Sequence, residues 1–122
     1  KNAEDVERWN IINTSNKQKI SQIEKCFSKN IVPTIAVSDY VKLVAEQIAK
    51  FVPGNYYALG TDGFGRSDTR KNLRRFFEVD KYYIVLTAIK ALELENKIEI
   101  GLSKKVIKKY KLDSNKKNPA NL

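Results

Sequence analysis

Residues 59–80 read LGTDGFGRSDTRKNLRRFFEVD, a strand end, a glycine-rich turn and a helix start in succession. The stretch holds three of the five glycines and four of the five arginines of the chain. Gly60, Gly63 and Gly65 stand between strand and helix, where backbone amides can hold an anion. Their order is G-x-x-G-x-G, however, and not the dinucleotide pattern G-x-G-x-x-G, and no Lys-Ser or Lys-Thr pair completes a P-loop. The simpler reading is that glycine permits positive φ while the chain reverses over the strand end. Phe64, between two glycines, is expected to pin that loop into the core. Arg66, Arg70 and Arg74 are spaced i, i+4, i+8 and share a face if the helix begins near Arg66. Three guanidiniums on one stripe can grip a carboxylate or phosphate through paired hydrogen bonds. The simpler reading, which we favour, is ordinary ion pairing with Asp62, Asp68, Glu78 or a neighbouring domain.

Asp62-Gly63 has half the look of a metal-diphosphate turn, since magnesium needs hard oxygen ligands. Thr61 precedes it, though, and no Asn-Asn pair follows. No second carboxylate sits at a spacing suited to acid–base catalysis. Glu46, Glu78, Glu93 and Glu95 read as solvated helix residues. The chain has no histidine and one cysteine, Cys26, which excludes Ser-His-Asp and Cys-His catalytic sets, a zinc site and an internal disulfide. A single cysteine also suits a reducing cytosol.

With 122 residues, 42% hydrophobic and 30% charged, the chain has the composition of one small globular domain. No apolar run approaches the roughly 20 residues of a membrane span. Lys1–Arg8 is charged and helical in character, unlike a signal peptide. The absence of methionine leads us to expect that Lys1 is not a translation start and that these residues belong to something longer. The formal charge of +9 raises nucleic acid as a partner. Lysine supplies 18 of the 23 basic residues, and Lys, Asn and Ile together make 41 of the 122. Those are the residues AT-rich codons enrich, so mutational bias accounts for the excess without a ligand. A free-standing basic nucleic-acid module, or a non-functional remnant, is the alternative reading.

Ile20, Ile23 and Phe27 set a helical stripe in Lys17–Lys29. PTIAVSD (33–39) is a strand. Ser38 and Asp39 offer cap oxygens to a helix running to about Val52, with Val41, Val44, Ile48 and Phe51 on one face. Pro53-Gly54 stops it, and YYALG (56–60) is the second strand. Ser67 or Asp68 caps a short helix that turns Leu73, Phe76 and Phe77 inward. Asp80 caps the next, where Ile84, Val85, Ala88, Ile89 and Leu92 keep the helical period in spite of a β-rich start. Asn96 takes a left-handed position at its end. Ser103–Tyr110 is a last, basic helix, and 113–122 a polar tail. Strands alternating with helices indicate an α/β fold. Two strands make a thin sheet, so at least one more is expected before Lys1.

ERWN (7–10), VSDYVKLVAEQI (37–48), residues 59–80 and VLTAIKALE (85–93) together resemble one family. It is the homodimeric-type bacterial pyruvate dehydrogenase, the decarboxylating first component of the pyruvate dehydrogenase complex, in the transketolase superfamily. The resemblance covers about Glu7 to Asn118 and lies at that family's C-terminal end. It implies an α/β domain with a mixed sheet flanked by helices, partial over 1–112 and lacking its first strand and helix. The implied whole enzyme uses thiamine diphosphate and magnesium to decarboxylate pyruvate. It then acetylates the lipoyl group of the acetyltransferase component, and its location is the cytoplasm. The cofactor lies between other domains, so no catalytic, cofactor or metal residue is assigned in this chain. The expected partners are the remainder of its own chain, a second subunit and the acetyltransferase component. Arg66, Arg70, Arg74, Asp62 and Phe64 are the expected contacts with another domain or subunit. RRFFEVD and ERWN argue against transketolase itself. Asn96 stands where the family usually has glycine, and Lys104–Lys117 is more basic than its norm.

Overall fold

A computed structural model describes residues 1–27, 29 and 31–122. Its helices are α1 (Asn2–Ile12), α2 (Gln22–Phe27), α3 (Lys42–Glu46), α4 (Arg70–Phe76), α5 (Lys81–Leu94) and α6 (Leu102–Lys109). Short 3-10 turns cover Ala49–Phe51 and Pro119–Asn121. Strands β1 (Thr34–Val37) and β2 (Tyr56–Leu59) pair in parallel, with Thr34 opposite Tyr56 and Val37 opposite Leu59. A parallel pair needs a crossover, and α3 with the turn after it supplies one. Helix α3 packs on β2, α5 on β1, and α6 on α5. Among the described residues the sheet has these two strands, so the α/β expectation holds and every observed pairing is parallel. No described helix is long and apolar enough to cross a membrane.

The N-terminal part departs from the expected helix over Lys17–Lys29, of which Ser28 lies outside the described residues. Helix α2 starts only at Gln22, because Asn10 brackets Lys19: its Oδ1 accepts from Lys19 N at 2.8 Å and its Nδ2 donates to Lys19 O at 2.9 Å. Those bonds tie up both backbone groups of Lys19, which a helix would otherwise use. Ser21 and Glu24 then form a capping box. Glu24 Oε2 accepts from Ser21 N at 2.8 Å, while Ser21 Oγ accepts from Glu24 N at 3.3 Å. Two more residues of ERWN make tertiary contacts. Trp9 carries the Lys19 ammonium 3.9 Å above its ring, and Glu7 pairs with Lys50 at 2.8 Å.

Helix α3 corrects a second expectation. Ser38 and Asp39 do not cap it; Val41 precedes its first turn and contributes no side-chain cap. The reason lies in Thr61, whose amide donates to Tyr40 O at 2.8 Å and whose hydroxyl donates to Asp39 O at 2.9 Å. With both carbonyls held outward, the helix starts after them. It also stops early, at Glu46, where the Tyr56 hydroxyl donates to Ala45 O at 2.6 Å and takes the acceptor a continuing helix would use. Val41, Leu43, Val44 and Ile48 are exposed, Leu43 to 66%. Of the apolar face foreseen for this helix, Val41, Val44 and Ile48 are thus uncovered among the described residues, while Phe51 is half-buried and Leu43 lies outside that face.

The C-terminal half follows its sequence more closely. Asp80 Oδ1 accepts from Tyr82 N and Tyr83 N at 3.0 and 3.1 Å, and opens α5 as expected. Asn96 is left-handed at φ 55°, and Lys97 N donates back over it to Leu92 O at 3.0 Å, a Schellman closure. Val79 and Ala91, both 1% exposed, are the tightest apolar packing. The tail folds back: Lys116 reaches Glu78 at 2.8 Å, and Pro119 is buried.

Glu93 is not the solvated residue its helical position implied; it is 5% exposed. Its carboxylate accepts from Ser103 N at 2.6 Å, Ser103 Oγ at 2.7 Å and Gly101 N at 3.0 Å. The N-cap of helix α6 is Gly101, which has no side chain to offer, so Glu93 caps the helix through Ser103, ten residues on. Hydrogen bonds from Ser103, opposed by desolvation, lower the carboxyl from 4.5 to about 2. A depressed carboxyl stabilises the fold above its unfolded value of 4.5, and that support fades as pH falls through about 2. Glu93→Ala should cut hydrogen-exchange protection of the Ser103 and Gly101 amides roughly tenfold at neutral pH, the scale of a charged hydrogen bond. The gap between the two proteins should close near pH 2; an equal gap at both pH values would remove Glu93 as the cause.

Candidate functional site

Because β1 and β2 are parallel, their carboxyl ends lie on one side, and the glycine turn leaves from there. Gly60 passes so close to the β1–α3 connection that a Cβ on it would sit 2.6 Å from both Tyr40 O and Lys42 N. Only glycine fits. Asp62 then reaches across, and its Oδ2 accepts from Lys42 N at 3.1 Å, capping α3 in place of Ser38 or Asp39. Gly63 has φ 120°, and a Cβ there would come 2.5 Å from Pro119 O. Gly65 differs from both: no neighbour lies within 4 Å of a Cβ placed on it.

The helix cap is Thr69, which accepts from Asn72 N at 3.3 Å. Ser67 does not take that place, and Asp68 instead accepts from Thr69 N and Asn72 Nδ2 at 2.6 and 2.8 Å. Those bonds from Asn72 and Thr69 lower the Asp68 carboxyl. Helix α4 thus begins at Arg70, four residues later than the arginine stripe required. Arg66 stays in the loop, its guanidinium 4.1 Å from the Phe76 ring centroid. Arg70 and Arg74 do share a face, and both lean on Asp39, at 3.9 and 3.4 Å. Asp39 was not foreseen in that role; its signal was its place just past the end of β1, where the turn after β2 arrives. On another side of α4, Arg75 pairs with Asp80 at 3.1 Å and lies over Tyr82 at 4.8 Å.

Phe64 does not pin the loop into the core; it is 80% exposed. The aromatic packing beneath the turn comes from Phe76 and Phe77, edge to face at 5.0 Å. Phe64, the three arginines, Leu73 and Phe77 surround an open groove of about 340 Å³ with Asp39 at its edge. This is the one place where most of the residues singled out from the sequence meet. Asp62 stands apart, committed to α3.

The site does not fit a magnesium–diphosphate group. The Asp62 carboxylate, the one carboxylate in the Asp-Gly turn, already accepts from a backbone amide, and the Thr61 hydroxyl is committed to Asp39 O. Among the described residues no three His, Cys, Asp or Glu side chains gather around a point that could hold a metal.

Fold and turn together match a known domain. The chain belongs to the transketolase-like C-terminal domain family, which it matches over residues 7–80. It is similar, more particularly, to proteins named pyruvate dehydrogenase E1 component. Identity is 50% over 115 residues with that of Cupriavidus necator, covering 94% of this chain. It is 47% over 120 residues with that of Buchnera aphidicola subsp. Acyrthosiphon pisum, and 40% over 120 residues with that of Escherichia coli K12, each covering 98% of this chain. The chain spans 13% of the length of each relative. The family resemblance drawn from residues 7–10, 37–48, 59–80 and 85–93 is borne out.

Gly60 and Gly65 separate by stability. Gly60→Ala should destabilise by about 1–3 kcal/mol, since backbone must move to admit the methyl group. Gly65→Ala should be neutral or stabilise by up to about 1 kcal/mol by restricting the unfolded chain. Denaturant unfolding of the two variants checks this; equal losses would contradict the close approach at Gly60.

Proposed function

We infer that these residues are the C-terminal segment of a pyruvate dehydrogenase E1 enzyme. The observation that carries this reading is identity of 40–50% with proteins of that name across 94–98% of the chain. The whole enzyme would decarboxylate pyruvate with thiamine diphosphate and magnesium and acetylate the lipoyl group of its acetyltransferase component. It would act as a homodimer in the cytoplasm. The cofactor would be held by other domains, consistent with the commitment of Asp62 to α3. The segment's own role is assembly, a reading supported by the exposed apolar side chains of Val41, Leu43, Val44 and Ile48 in and around α3. An exposed apolar patch of this kind marks a surface that other protein covers.

The test uses the full polypeptide that carries these residues, supplied with thiamine diphosphate, magnesium and a lipoyl domain. Pyruvate should be consumed and the lipoyl domain should gain an acetyl group, read by mass spectrometry. Turnover of a ketose phosphate in place of pyruvate would overturn the reading. Leu43→Asp should lower the thermal midpoint of that enzyme by several degrees if α3 is covered. An unchanged midpoint would mean that this face meets water.

A further inference from the structure

The groove at the glycine turn carries more than assembly requires. In open α/β sheets, ligands collect in the crevice beyond the carboxyl ends of the strands. Here both parallel strands end at this groove, and its volume of about 340 Å³ is that of a small-molecule site. One part of its lining is apolar, from Phe64, Leu73 and Phe77, and another is cationic, from Arg66, Arg70 and Arg74.

The cations are under-neutralised. Asp39 is the one carboxylate lining the groove against three guanidiniums. Its contacts of 3.4 Å to Arg74 and 3.9 Å to Arg70 are long beside the about 2.7–2.9 Å of a close charge-assisted bond. Arg66 stacks on Phe76, and its charge is felt by the nearby Asp68 carboxylate, which is itself committed to Thr69 N and Asn72 Nδ2. Arg74 Nε is sealed from solvent with no acceptor among the described residues. Beside them Phe64 stands 80% exposed, and Gly65 leaves open space where any other residue would place a Cβ. The fold itself asks for neither feature.

We propose that this groove binds a small organic anion. Its carboxylate or phosphate is gripped by Arg70 and Arg74 with Arg66 alongside, and its apolar body packs on Phe64, Leu73 and Phe77. Guanidinium forks match either oxyanion in a paired geometry, so the cationic side fixes charge and the aromatic side fixes shape. The inference rests on the preceding reading only for the identity of the polypeptide to be tested.

The experiment is calorimetric titration of that full polypeptide, with thiamine diphosphate and magnesium saturating so that its diphosphate site is filled. The probes are inorganic phosphate, phenyl phosphate and phenylacetate. At least one phenyl probe should bind more tightly than inorganic phosphate, and the stronger of the two tells phosphate from carboxylate. Arg70→Ala and Arg74→Ala should each weaken it roughly tenfold, the loss of a paired charged contact. Arg74→Lys, which keeps the charge and loses the fork, serves if the alanine variant unfolds. Phe64→Ser should weaken the phenyl probes and leave inorganic phosphate unchanged. No heat from any probe up to about 10 mM, a few kcal/mol of affinity at most, overturns the proposal. So does binding that ignores all of these substitutions. A groove filled by another domain or subunit overturns it too, read as protection of Arg66 and Arg70 from phenylglyoxal in the ligand-free enzyme. Pyruvate turnover in the same preparation judges the enzyme reading separately, whatever the titrations give.

Discussion

The close passage of Gly60 over the Tyr40–Lys42 backbone is the constraint on which the rest of this structure depends. It sets two strand ends against each other with no side chain between them. Thr61 can then hold the carbonyls of Asp39 and Tyr40, and Asp62 can cap α3. That same passage brings Asp39 opposite Arg70 and Arg74, and so creates the groove. A glycine turn of this kind is a joint first and a ligand site second. The anion chemistry exists because the joint leaves three guanidiniums around one carboxylate.

A related economy governs the acidic residues. Asp62, Asp80, Glu24 and Glu93 each accept backbone amides at the start of a helix, and Asp68 braces the cap of another. Carboxylates used in this way face inward or along the backbone. The chain has 14 acidic residues against 23 basic ones, so a share of the smaller set is engaged with amides and lysines dominate what solvent meets. The net charge itself is a matter of composition, since a carboxylate held by amides stays ionised.

Local signals were legible and distant ones were not. The two strands, the Asp80 cap and the left-handed Asn96 all follow from residues within a few positions of the feature they define. Three of the misread features turn on a partner far along the chain. Lys17–Ile20 stay out of α2 because of Asn10, nine residues before Lys19. The start of α3 is decided by Thr61 and Asp62, about twenty residues on. Glu93 looked like a surface residue because α6, whose Gly101 lacks a side chain, lies one loop away. The arginine stripe failed by a single turn of helix: Thr69 competes with Ser67 and Asp68 as cap, and its win leaves Arg66 in the loop. Phe64 misled for a different reason, since Phe76 and Phe77 supply the packing beneath the turn.

The tail gives the turn a place in time as well as in space. Gly63 adopts its positive φ against the carbonyl of Pro119, so residues 56 positions apart close one contact. A growing chain makes the strand, the turn and α4 well before it makes Pro119. The turn is thus complete in sequence before the tail that seats on Gly63 exists, and until Pro119 arrives Gly60 is its one close backbone approach of the two.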